Sequence, residues 1–234
     1  MHNMKTKKSV FCLTIISILI FTSSCSKPQQ SNQNNCNTEE LYNYEVTSEP
    51  FESMPVIGSS ANYPTFDTEK GLFDDSELVI IGMPVETFTE GTQRFYDING
   101  NEVKNNENAQ IIHRITTRNI KIIKVLKGDI NSDSVEIAEN AIVQTDQVGN
   151  NYIYGLPDSS FISKKNVKYI YYLNKAAQDN MDFYVPRSDQ GVVNIDGLDT
   201  NSFSKVSSQR LREVKSRFSA DFAKYDRSNE LTAK

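Results

Sequence analysis

The stretch "IIHRITTRNIKIIKVLKGD", residues 111–129, changes apolar phase part-way along, and that change restricts the folds open to the chain. Ile120 and Ile122 share one face of an extended strand, whereas Ile123 and Val125 take the other, so the phase switches at Ile122-Ile123. Alternation with period two marks a strand. A switch inside it predicts a β-bulge, which bends a strand and lets it turn the corner of a barrel. Lys127-Gly128-Asp129 predicts the turn that ends it.

The flanking segments have the same character. "SELVIIGMPVETF" is a continuous apolar run whose length and β-branched content predict a buried strand with a bend or bulge at Gly82. In "RFYDINGNEVK", Asn99-Gly100 between two short runs predicts a hairpin turn with both residues at positive φ. "SVEIAENAIV", "NYIYGL", "NVKYIYYL", "DFYVPR" and "QGVVNID" follow as short strands, with "NYIYGL" as the far arm of a hairpin. Such spacing predicts a mainly β fold, a small antiparallel barrel or sandwich. The period then changes: Leu211, Val214, Phe218, Phe222 and Tyr225 recur at helical spacing, which predicts a C-terminal amphipathic helix packed on the barrel. Ser202 or Ser204 would cap it.

The N-terminus is organised differently. Lys5, Lys7 and Lys8 precede the apolar stretch Val10 to Phe21 and the small residues Thr22, Ser23 and Ser24. These are the parts of a secretory signal peptide, 1–24, and the stretch is shorter than the roughly 20 residues a membrane-spanning helix needs. Cys25 follows at the cleavage position. The arrangement resembles the lipobox of bacterial lipoproteins, with Thr22 where an aliphatic usually stands, and the resemblance implies that Cys25 is lipidated. Acyl chains, at about 0.8 kcal/mol per buried CH₂, would hold the chain on the extracytoplasmic face of the cell membrane. The alternative is a soluble secreted protein with an incidental cysteine.

Residues 25–65, rich in Ser, Asn, Gln, Glu and Pro, predict a flexible tether, with a short helix over about Phe66 to Asp75 leading into the first strand. The globular part is then 66–227, a barrel with its C-terminal helix, and 228–234 is a tail. Cys12 leaves with the signal peptide, and Cys25 and Cys36 give no internal disulfide framework. The net charge of −5, made more acidic by loss of Lys5, Lys7 and Lys8, disfavours nucleic acid and adsorption to anionic lipid.

The segments "LVIIGMPVE", "RNIKIIKVLKGD", "VEIAE" and "KYIYYLNK", in that order, resemble a group of uncharacterised lipoproteins and secreted proteins of Gram-positive bacteria, which are similar to the netrin-like, OB-type barrel of metalloproteinase inhibitors. The resemblance covers roughly residues 75 to 196 and implies an OB or netrin-like barrel. Its motifs are structural. The inhibitors' disulfides and metal-engaging N-terminal cysteine have no counterpart here, so that activity is not carried over.

Residues that could carry chemistry are few. His113 is the one histidine left after cleavage, without a second ligand for zinc. "SFSK", Ser202 to Lys205, matches S-x-x-K without its companion motifs. Asp74-Asp75 and Asp196-Asp199 fall where turns and helix starts favour acids, and "DINGNE" has its glycine at the fourth place, where a calcium loop has it at the sixth. Tyr152, Tyr154, Tyr169, Tyr171, Tyr172 and Tyr184 could form a ligand platform or fill the barrel, with Tyr172 pointing opposite to Tyr169 and Tyr171. The expectation is a non-enzymatic binding or interaction module with a wall-polymer or surface-protein partner, no cofactor, no metal and no assigned catalytic or ligand-binding residue. The alternative is a lipid-anchored hydrolase using loop carboxylates such as Asp189 or Asp196.

Overall fold

The chain divides into two compact units, Met1–Tyr42 and Asn43–Lys234. The computed structural model describes residues 46–59, 64–104, 110–157, 161–177, 180–187, 190–200 and 206–228, all in the second unit. The expected signal peptide, 1–24, Cys25 and Cys36 lie outside the described residues, as do Asp189, Ser202, Ser204 and Lys205.

The fold is mainly β. Five strands, β2 (Leu78–Pro84), β4 (Ile111–Lys127), β5 (Ser134–Glu139), β9 (Tyr184–Pro186) and β8 (Tyr169–Lys175), close a barrel in that order, with β8 also pairing β2. β3 (Thr92–Asp97) extends the sheet along the first half of β4, and β10 (Val192–Asn194) lies on β8 beside β9. A second sheet has the order β1 (Val56–Ser59), β7 (Asn151–Pro157), β6 (Ile142–Thr145).

β4 bends where the apolar phase switches. Ile81 of β2 faces Lys124 and Gly82 faces Ile122, leaving Ile123 as the extra residue of a bulge. A Cβ on Gly82 would stand 2.5 Å from Ile120 Cγ2, so glycine lets the two strands meet there. Gly128, at φ +84, ends β4 as the Lys-Gly-Asp turn predicts. The interior holds Leu78, Ile80, Ile120, Ile137, Tyr169, Tyr171 and Leu173, all buried. Tyr172 points the other way, as its phase requires, yet it too is buried, because α1 (Glu69–Asp75) brings Glu69 Oε1 to 2.9 Å from its hydroxyl. The tyrosines of β8 therefore form no exposed platform.

Four expectations are corrected. The hairpin at Asn99-Gly100 forms, but only Gly100 has positive φ: Gly100 N–H donates to Asp97 O at 3.0 Å, and Asp97 N–H to Asn101 O at 3.0 Å. The geometry is that of a turn closed by a glycine bulge, and Asp97 replaces the second left-handed residue by accepting the N–H groups of Asn99 and Asn101 on Oδ1. "DQVGN" at 146–150 repeats the device: Gly149 has φ +93, and Asp146 Oδ1 accepts from Val148 and Asn150.

The C-terminal helix is two helices, α2 (Ser208–Arg217) and α3 (Ser219–Tyr225), broken at Phe218, which is buried with φ −112 and ψ 35. Its N-cap is Ser207, whose side chain accepts Arg210 N–H at 3.1 Å.

The folded part also begins before residue 66. Residues 50–53 form a 3-10 turn with Phe51 wholly buried, and β1 pairs in parallel with β7. The polar composition around Phe51 hides one aromatic side chain that finds a complete apolar pocket in Phe88, Ala141, Ile153 and Ile162.

Candidate functional site

Two places in the fold gather polar side chains in a way the local pattern does not explain. The first is at one end of the barrel. Arg118, fully buried on β4, donates Nε to Glu139 Oε2 at 2.9 Å and Nη2 to Oε1 at 2.7 Å, a two-point pairing with a carboxylate that is itself buried. Nη1 reaches Glu86 O at 3.0 Å, and Nη2 also reaches Ser163 O at 2.6 Å and Ser163 Oγ at 2.8 Å. Ser163 returns its N–H and hydroxyl to Glu139 Oε1 at 2.7 and 2.8 Å.

Glu49, on the segment leading into the 3-10 turn, reaches the same region and accepts the backbone N–H groups of Phe88 and Lys165. Burial raises its pKa; the two N–H groups and Arg118 lower it, and Glu139 raises it again. Folding thus favours protonated Glu49 over its unfolded state. Its contribution to stability is fully present below about the unfolded value of 4.5 and is lost as pH rises through the raised value. Arg118 also loses by burial, but the Glu139 carboxylate more than offsets this and its pKa is raised. The Arg118–Glu139 pair is bonded and buried, so this network ties β4, β5 and the 161–165 segment together.

The second place is a groove of about 350 Å³ on the helical side. It is lined by Val193, Asn194, Ile195 and Gly197 of β10 and the residues after it, by Asp199, Thr200 and Val206, by Leu211, Lys215 and Phe222 of the two helices, and by Asp226 and Ser228. Leu211 and Lys215 of α2 and Phe222 of α3 line it from either side of the break at Phe218, and Leu211 and Phe222 are half-buried. Asp226 Oδ1 accepts Ser228 N–H at 2.9 Å, which, with the Ser228 hydroxyl and the charge of Lys215, holds its carboxyl below the usual range. Its lining is mixed, with Val193, Ile195, Val206, Leu211 and Phe222 apolar and Asn194, Asp199, Thr200, Lys215, Asp226 and Ser228 polar or charged.

The carboxylates singled out in the sequence go to separate tasks. Asp196 is buried and accepts N–H groups from Lys168 at 2.8 Å and Leu198 at 3.1 Å, together with Asn194 Nδ2 at 2.9 Å; burial nevertheless raises its pKa. Asp199 accepts the Tyr169 hydroxyl at 2.6 Å. Asp74 pairs with Lys70 and Asp75 with Arg187 at the surface. His113 is exposed on β4 opposite Tyr96. Among the described residues no three His, Cys, Asp or Glu side chains converge on a metal position, and no helix is long and apolar enough to cross a membrane. Comparison with protein-family models, curated proteins and solved structures found no match.

Sequence reasoning missed Arg118, Glu139, Ser163 and Glu49. A signal for the first exists, because Thr116, Arg118 and Ile120 share one strand face and Ile120 belongs to the core. An arginine in the inward phase needs a buried acceptor, which the local pattern cannot name.

Proposed function

We propose that this protein is an extracytoplasmic lipoprotein, attached to the cell membrane through acyl groups on Cys25, whose barrel is a non-enzymatic binding module. The order of basic residues, short apolar stretch, small residues and Cys25 carries the attachment. The helical-side groove, lined among others by Lys215, Phe222, Asp199 and Asp226, supplies the binding place. Support for binding without turnover comes from Asp196 and Glu139, the buried acids nearest a catalytic description, whose oxygens are taken up by N–H and hydroxyl donors of the fold.

Expression of the wild type and Cys25→Ser, followed by membrane fractionation and labelling with a fatty-acid probe, tests the attachment. The wild type is expected in the membrane fraction with label, and Cys25→Ser in the soluble fraction without it. Equal membrane retention of the two would overturn lipidation. Crosslinking capture from intact cells tests the groove: Lys215→Glu is expected to lower recovery of the captured wall polymer or surface protein several-fold. A substrate whose turnover disappears in Asp196→Asn would replace binding by hydrolysis.

A further inference from the structure

β1 is the last strand of its sheet among the described residues. The parallel pairing of Val56 with Ile153 and Ile57 with Tyr154, with Ile153 N–H donating to Pro55 O at 2.8 Å, turns the N–H and C=O of Ile57 towards β7. Those of Val56 and Gly58 consequently point away from it. Among the described residues no strand pairs with that edge. Residues Pro55 to Gly58 are all exposed, Val56 by 40% and Ile57 by 48%. Natural edge strands are usually blunted by charge, lysine above all. Here no Asp, Glu, Lys or Arg occurs from Ser53 to Phe66, in a chain of which 24% is charged. Pro55 at its start is the one blunting device on the strand.

We propose that β1 is the surface through which two copies of this protein pair, antiparallel, about a two-fold axis at Ile57. In that register Val56 stands opposite Gly58 of the second copy, and Gly58 opposite its Val56. Each of these positions offers both an N–H and a C=O, as a reciprocally bonded antiparallel pair requires. Ile57 then meets its own counterpart at the non-bonded position, where Cα atoms lie about 4.5 Å apart and side chains are close. The uncharged edge brings no like charges together, although the whole chain carries −5.

A four-residue ladder is weak alone, and here the inference rests on acylation of Cys25. A two-fold axis normal to the membrane places both anchors in one bilayer, and confinement raises the effective concentration of one copy for the other.

The test uses membranes carrying Ile57→Cys in a Cys36→Ser background, oxidised with copper-phenanthroline and resolved without reductant. A Cα separation near 4.5 Å lies within disulfide range. A disulfide-linked homodimer is expected, in several-fold excess over that from Val148→Cys, an aliphatic position exposed by 82%. It is expected to be lost when Val56→Lys is added. Parity with Val148→Cys, insensitivity to Val56→Lys, or crosslinking chiefly to a different protein overturns the pairing. Fractionation of the same samples reports the anchor separately. If the chain is found soluble, the acylation reading has failed, and oxidation at high concentration of the purified protein, with Cys25→Ser added to both variants, still decides the pairing by the same comparison.

Discussion

Arg118→Leu is expected to lower the free energy of unfolding by about 3–5 kcal/mol in urea denaturation, because it leaves the buried Glu139 carboxylate without its countercharge. The Ser163 bonds to Glu139 survive the change and cannot compensate, since they were present beforehand. A double variant, Arg118→Met with Glu139→Gln, removes both charges and keeps an acceptor for Ser163. It is expected to be more stable than Arg118→Leu alone, which is the sign of a pair costly to break and modest in net value. A loss below about 1 kcal/mol for the single change would mean that water enters the site and solvates Glu139.

Phe51→Ala is the second large effect, with an expected loss of about 3–5 kcal/mol. The ring is wholly buried, packs edge-on against Phe88 at 5.7 Å, and has Ile153 and Ile162 around it. Its removal leaves a cavity at the same end of the barrel as Glu49. The same urea titration measures it, and limited proteolysis adds a local readout: cleavage within 46–59 is expected to accelerate more than cleavage in β2 or β8. If residues up to 65 were tether alone, the substitution would be silent.

The parts of the fold legible in the sequence are those set by neighbouring residues. The bulge at Ile123 follows from two adjacent isoleucines out of phase, the end of β4 from Gly128, and the hairpin from Asn99-Gly100. What escaped depends on residues far apart in the chain. Phe51 sits among polar residues and owes its burial to Phe88, Ile153 and Ile162. Tyr172 has the outward phase of an exposed residue and is covered by Glu69, 103 positions away. The helix breaks at Phe218, a position that the spacing of Leu211, Val214, Phe218 and Phe222 assigns to one uninterrupted apolar stripe. Period alone cannot show that two short helices satisfy that stripe as well as one long one.

The closure of the barrel is uneven, and that has a consequence for how the domain breathes. β9 is three residues long, meets β5 only at the Ile137–Tyr184 pair, and joins β8 over Leu173 to Lys175. β2, by contrast, is held along its length by β4 on one side and β8 on the other. Parting the seam at β9 breaks few backbone bonds and leaves an open sheet that keeps its central ladders. Amides bonded across that seam should therefore exchange with solvent deuterium through a low-energy local opening. Those between β2 and β8 should exchange only when the whole domain unfolds. Solvent's cheapest route to the buried interior is through β9.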